Sequence, residues 1–372
     1  MAKLVDELDV VAAETAFSGV VRVERDESVE LVKAYGLADR AHGIANTTDT
    51  QFGIASGVKG FTALAVVSLI EDGVLELSTT ARSVLGDDLP LIGPDVTVEH
   101  LLTHRSGIGD HVDEDAGGDI ADYVLPVPVH ELLDTEQYLP VLEGLPPKFA
   151  AGERFSYCNA GYIVLALIAE RHSGVSFHEL VRQRVCQPAS MHDTDFLRSD
   201  ELPGRAALGY LGVDGPRTNV LHLPVRGSGD GGIYTTAADV HTFWSAVHGW
   251  AHRAADLGHG DDQTAQRRTG GVDAVRRRLL AARDRVGGDA DRGRRGRVVP
   301  HRARPGREHD LHRAVQHLQR RLARGPPHRR SPGLAGPRVG TEPAHVHRAG
   351  VSWVVSAKQS PTPSRVGSDR AG

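Results

Sequence analysis

A serine that attacks a carbonyl needs a neighbour to take its proton. Here Ser56 and Lys59 stand three residues apart, a spacing that puts both side chains on one face of a helix, one turn apart. A lysine amine serves as that base when burial or nearby positive charge lowers its pKa. The segment supplies the burial: from Ser56 to Asp72 it is apolar nearly all round, through Phe61, Leu64, Ala65, Val67, Leu69 and Ile70, with Gly73 where a helix C-cap would fall. The spacing Ser-x-x-Lys also arises by chance, so the pair alone establishes no chemistry. A second pair, Tyr157 and Asn159, lies about a hundred residues further on, just ahead of another apolar helix. A phenol can share a proton with the lysine and pass it to a leaving group, and a carboxamide can hold a substrate's amide. By themselves these two residues equally suit a buried tyrosine beside a helix N-cap asparagine, and Tyr162 shows tyrosine in use nearby.

The elements that must position these residues follow from periodicity and punctuation. Residues 4–16 have the apolar spacing of a helix, and 17–26 and 29–40 read as two strands joined by a polar turn. Helices are expected at 97–104, 160–172 and 176–185. A glycine-rich link at 227–233 leads to a further helix at 235–247, where Thr236 can act as a cap. The patterning to that point is that of an α/β protein.

Taken together, Ser56-x-x-Lys59 and Tyr157-x-Asn159, in that order and at that separation, resemble the serine β-lactamase-related family of class C β-lactamases, DD-peptidases and allied esterases. The segments 52–77, 96–108, 151–162 and 231–243 share the likeness, which covers about residues 8–247. The resemblance implies an α/β (α+β), β-lactamase/transpeptidase-like fold: an antiparallel sheet flanked by helices, with a helical subdomain inserted between Ser56 and the Tyr-x-Asn pair. It implies an enzyme in which Ser56 is acylated, Lys59 is its base, Tyr157 assists proton transfer and Asn159 binds the substrate amide. The substrate would be a small-molecule ester, amide or β-lactam, and no cofactor is implied. His104 falls on a family landmark that we take as structural. The family's third motif, a Lys-Thr-Gly or His-x-Gly triad on a strand that supplies one of two oxyanion donors, has no credible copy: Arg268-Thr269-Gly270 and His259-Gly260 lie outside any strand pattern. Loss of one such donor lowers rates on the order of a hundred- to a thousandfold. A penicillin-binding-like protein with impaired catalysis is therefore the alternative.

Composition explains that departure. The net charge of -5 conceals a split, with 17 basic and 37 acidic side chains in residues 1–250 and 26 basic and 11 acidic in 251–372. The second stretch has no Ile, Phe, Tyr, Met, Asn or Cys and a single Lys among 25 Arg, which cannot build an ordinary core. Arg, Ala, Gly, Pro, His and Val are what GC-rich coding DNA yields out of frame. The stretches 249–265, 296–303 and 309–318 each permit a nucleotide sequence that encodes ordinary, partly strand-like protein when displaced by one base. We therefore expect a frameshift near Ala246 to His248. Residues 1–247 would be a C-terminally incomplete hydrolase domain, and 248–372 an aberrant, disordered tail that has replaced the third motif. A basic tail that binds nucleic acid is the competing class; Trp353 is the one Phe, Tyr or Trp of residues 251–372 and no reading motif is present, so no nucleic-acid partner is expected. No apolar run approaches 18 residues and the N-terminus is acidic where a signal peptide is basic, so a cytoplasmic protein without membrane contact is expected. Two cysteines, Cys158 and Cys186, offer no disulfide framework, and the 20 histidines show no metal-ligand spacing. Substrate identity and oligomeric state stay open.

Overall fold

The structure, a computed structural model, describes residues 2–25, 28–114, 122–212 and 214–257, the last ten as helix backbone. The aberrant tail and displaced third motif expected at 248–372 otherwise lie outside the described residues.

Helix α1 (Ala2–Glu14) buries Leu4, Leu8 and Val11, spaced as one helical face, against Val21 and Val23 of β1 (Gly19–Arg25). Strand β1 pairs antiparallel with β2 (Ser28–Tyr35), from Gly19 opposite Tyr35 to Arg25 opposite Ser28, with a register shift at Val23/Glu24. Lys33 and Tyr35 of β2 fasten α1 through Asp9, at 2.6 and 2.9 Å. The two-residue period of β1 turns Val20 to the opposite face, where it packs with Ala38, Phe52, Ala207 and Ala237. The single strand expected over 29–40 is broken at Gly36, whose φ of +68° and close approach to Ser18 bend the chain. Beyond the bend, β3 (Leu37–Asp39) pairs with β4 (Ile44–Ala45).

The second half of the architecture is helical. After β5 (Phe52–Gly53), α2 (Val58–Glu71) runs through the main core, with eleven of its fourteen residues buried. Between it and Tyr157 lie α3 (Ala81–Leu85), α4 (Val98–Leu102) and α5 (Leu139–Leu142), the inserted helical subdomain. The α4 helix is shorter than the expected 97–104; it starts at a capping box between Thr97 and His100, and His104 at φ +54° has left the helical conformation. Helix α6 (Asn159–Ser173) is buried from Asn159 through Ala169 and packs on α2, as expected for a helix apolar on every side. Next, α7 (Phe177–Val181) continues as a π-helical turn over Arg182–Cys186. Strand β6 (Tyr234–Thr235) pairs antiparallel with β5, and α8 (Ala237–Leu257) follows, its first turn capped by the Thr236 hydroxyl, which accepts from the Asp239 amide at 3.1 Å. Phe243 of α8 stacks on Phe61 of α2 with ring centroids 4.3 Å apart, and His241 of α8 pairs with the buried Glu24 of β1. Thus α1 covers one face of the β1–β2 pair, α8 reaches the other, and α8 also braces α2. Among the described residues the strands form three two-stranded sheets.

Candidate active site

The β5–β6 pairing delivers Ser56. Phe52 lies opposite Thr235 and Gly53 opposite Tyr234, and the Ile54 amide donates to the Ile233 carbonyl at 3.0 Å. Ala55 then adopts φ +44° and opens a 3₁₀ turn over Ala55–Gly57, which leaves Ser56 exposed. A non-glycine residue in the left-handed region is held there by its surroundings, here the strand pair behind it and the helix ahead. Ser56 therefore stands in the turn before α2 and not in the helix proper. Lys59, in the first turn of α2, is only 6% exposed. Its Nζ donates to Ser56 Oγ at 3.1 Å, to Asn159 Oδ1 at 2.8 Å and to the Asp230 carbonyl at 2.7 Å, one acceptor for each ammonium proton. The Tyr157 and Tyr162 rings lie 4.9 and 5.7 Å from the same nitrogen. Burial pushes the Lys59 pKa below the usual lysine value, against the opposing pull of Asp230, Glu114, Asp110 and Cys158. Tyr157 hydrogen-bonds Ser56; burial drives its own pKa well up, the bond to Ser56 works against that rise, and Glu114, Asp230 and Asp110 add to it. The Ser56 hydroxyl is thus reached by both an amine and a phenol.

A second layer fixes these groups. Tyr157 stacks on His104 at 4.6 Å between centroids, and His104 stacks on Tyr162 at 4.9 Å. His104 Nδ1 accepts from the Cys158 amide at 3.1 Å; burial and the charge on Lys59 push its pKa down to about 4, so it is a neutral wall. Asn159 opens α6, while Cys158 occupies the cap position, with Sγ accepting from the Gly161 amide at 3.4 Å. Asp110, from the loop after α4, closes the same helix end: its Oδ2 and Oδ1 accept from the Asn159 and Ala160 amides at 2.8 and 2.9 Å. The Asn159 carboxamide also donates to the Val112 carbonyl at 2.9 Å. The glycine-rich segment 227–233 is more than a link. Gly229 lies so close to Tyr162 that a Cβ would sit 2.1 Å from its carbonyl oxygen, Thr62 of α2 donates to the Gly229 carbonyl at 2.7 Å, and the next carbonyl, that of Asp230, is the one that holds Lys59. Asp110 and Asp230 are functional residues that sequence reasoning missed; the glycine cluster was the available signal for the second, and the first carried none.

A model of the Beta-lactamase family matches residues 4–318. The chain belongs to the Beta-lactamase family. Its fold is β-lactamase/transpeptidase-like: the crystal structure of a penicillin-binding protein from Bacillus halodurans matches it with a TM-score of 0.61 and 40% sequence identity, over 65% of this chain and 73% of that one. Among curated relatives, penicillin-binding protein 4 of Amycolatopsis lactamdurans is 32% identical over 220 residues, 56% of this chain and 54% of the relative. Esterase EstB of Burkholderia gladioli is 32% identical over 206 residues, 51% of this chain and 49% of the relative. The chain spans about half the length of the curated relatives it matches. In this Beta-lactamase family member Ser56, Lys59, Tyr157 and Asn159 meet at one place, although 100 positions separate Lys59 from Asn159. Among the described residues no three His, Cys, Asp or Glu side chains cluster as a metal ion would need, and no helix is long and apolar enough to cross a membrane.

Proposed function

We propose that the chain is a serine hydrolase that transfers the acyl group of a small-molecule ester, amide or β-lactam to Ser56 and then to water. The observation that carries this reading is a buried lysine with a lowered pKa, its Nζ 3.1 Å from the hydroxyl of an exposed serine. In its neutral form Lys59 takes the Ser56 proton as Oγ bonds the carbonyl carbon. The bond to the leaving oxygen or nitrogen then breaks, and Tyr157, within hydrogen-bond reach of Ser56, relays a proton from Lys59 to it. Water later attacks the acyl-enzyme, giving up its proton to the same pair, and releases the acid. Asn159 anchors Lys59 with its carbonyl oxygen and Val112 with one amide proton; its other amide proton is left to meet a substrate carbonyl. The names of relatives, a penicillin-binding protein, an esterase and a D-aminopeptidase, support this range of substrates without selecting within it. The test is turnover of p-nitrophenyl butyrate, nitrocefin and D-alanine p-nitroanilide by the full chain and by Ser56→Ala. The reading expects turnover of at least one by the native chain and none by the variant; equal turnover by both removes it.

A further inference from the structure

Lys59 is held from two sides, and the two supports come from segments far apart in the chain. On one side is Asn159, whose position is set by Asp110 through the α6 amides at 2.8 and 2.9 Å. On the other is the Asp230 carbonyl at 2.7 Å. The carboxylates of Asp110 and Asp230 converge on a single side chain, His111, whose Nδ1 lies 3.5 Å from Asp110 Oδ1 and whose Nε2 lies 3.6 Å from Asp230 Oδ2. The imidazole is 8% exposed, the Asp110 side chain is fully buried and that of Asp230 is 19% exposed. These contacts close a ring: Lys59 to Asn159, Asn159 to Asp110, Asp110 to His111, His111 to Asp230, and the Asp230 carbonyl back to Lys59.

We propose that His111 is a positioning residue for the base, the strut that ties the loop after α4 to the glycine-rich loop and so keeps the Asp230 carbonyl against Lys59. Two further features bear on this. The loop of residues 227–233 contains four glycines, so its backbone needs outside constraint to hold one carbonyl in place. Both imidazole nitrogens face carboxylate oxygens, an arrangement that a purely apolar packing role does not require. At 3.5 and 3.6 Å these contacts are long for hydrogen bonds, and the tie acts by closing the ring from the side opposite Lys59.

The inference rests on Ser56 being the nucleophile and Lys59 its base. The test is the kinetics of labelling of the full chain by a fluorophosphonate probe, in which the Ser56 Oγ–P bond forms, fluoride leaves and the serine proton passes to Lys59. The variants are His111→Leu, His111→Gln, Asp230→Asn and the His111→Leu/Asp230→Asn double, each checked by thermal unfolding. We expect His111→Leu to lower the maximal rate constant about 10- to 100-fold, the effect of a roughly 1 Å misplacement, with the half-saturating probe concentration unchanged. His111→Gln, which keeps N–H donors, recovers most of the rate. Asp230→Asn falls by a similar factor, and the double variant is no slower than the worse single one, because both cut the same link. A residue that only supports the fold would reduce the fraction labelled and the unfolding temperature, not this rate constant. A native rate constant in a folded His111→Leu, or independent multiplying effects in the double, overturns the proposal. If His111→Leu does not fold, the rate constant of Asp230→Asn decides: native, it overturns the proposal; lowered with unchanged half-saturation and restored by neither neighbour, it supports it. A native chain that is not labelled at Ser56 overturns the hydrolase reading itself, an outcome distinct from all of these.

Discussion

Replacing Asp110 by alanine removes both acceptors at the start of α6. The carboxylate is fully buried and takes the Asn159 and Ala160 amides at 2.8 and 2.9 Å. Each such charge-assisted bond contributes about 1.5–3 kcal/mol, and release of a desolvated carboxylate offsets part of their loss. A net destabilisation of about 2–4 kcal/mol follows, above the usual range for a simple N-cap because two buried amides are orphaned. For a domain of this size that lowers the thermal midpoint by roughly 5–15 °C. The sign of the pH dependence is fixed by the carboxyl itself. Burial raises its pKa, but the nearby His111 and the bonds from the Ala160 and Asn159 amides outweigh that and hold it below the ordinary carboxylate value. Its contribution is complete above the unfolded-state pKa of about 4 and fades as pH falls through the lower folded value. The native and Asp110→Ala midpoints should therefore lie far apart at pH 7 and converge in acid below about pH 4. Displacement of Asn159, and with it Lys59, should slow fluorophosphonate labelling by up to about 100-fold. Scanning calorimetry across pH, paired with labelling kinetics, gives both readouts. A midpoint within about 1 °C of native at pH 7, with native labelling, would refute the assignment of Asp110 as the clamp on α6.

Three further outcomes are expected. Asn159→Leu takes one of the three acceptors from Lys59 and should slow labelling about 100-fold or more; time courses at saturating probe measure it, and a native rate contradicts the role. Gly229→Ala places a Cβ 2.1 Å from the Tyr162 carbonyl oxygen, so the loop must move; a loss of about 1–3 kcal/mol in urea unfolding, together with slowed labelling, is expected, and a native unfolding midpoint counts against it. His104 and His178 have pKa values pushed down to about 4, by burial first and then by the charges of Lys59 and Arg226 respectively. Both are neutral in the folded chain, so the unfolded chain binds more protons below about pH 6.5, and stability should fall by about 3 kcal/mol per histidine between pH 6.5 and pH 4. Urea unfolding in a pH series tests this, and a flat profile across that window speaks against it.

The nearness of Ser56 and Lys59 was legible because it is a local property: three residues along a helix start give one face. Tyr157 and Asn159 were legible as a pair, and the family resemblance joined the two pairs across the chain. The ring behind them was not legible. Asp110, His111 and Asp230 sit in loops, where no periodicity marks which way a side chain turns, and the partners are about 120 positions apart. Even the glycine cluster at 227–233 has two readings, a flexible link or a backbone pressed against a neighbour, and the approach of Gly229 to Tyr162 selects the second. In the fold, the long core helices α2 and α6 were visible from their unbroken apolar character. The break at Gly36 and the early end of α4 were not, because each depends on one residue's positive φ. The same holds for Ala55, whose conformation takes Ser56 out of the helix and exposes it.

The central claim is that Ser56 is the group that is acylated and Lys59 the group that makes it reactive. Intact-mass and peptide-level mass spectrometry of the full chain after a fluorophosphonate probe, run beside Ser56→Ala and Lys59→Met, tests it most directly. The account predicts a single adduct on the peptide carrying Ser56, none in Ser56→Ala, and labelling slowed at least a hundredfold in a folded Lys59→Met. An adduct on another residue, or labelling of Ser56→Ala at the native rate, would contradict it.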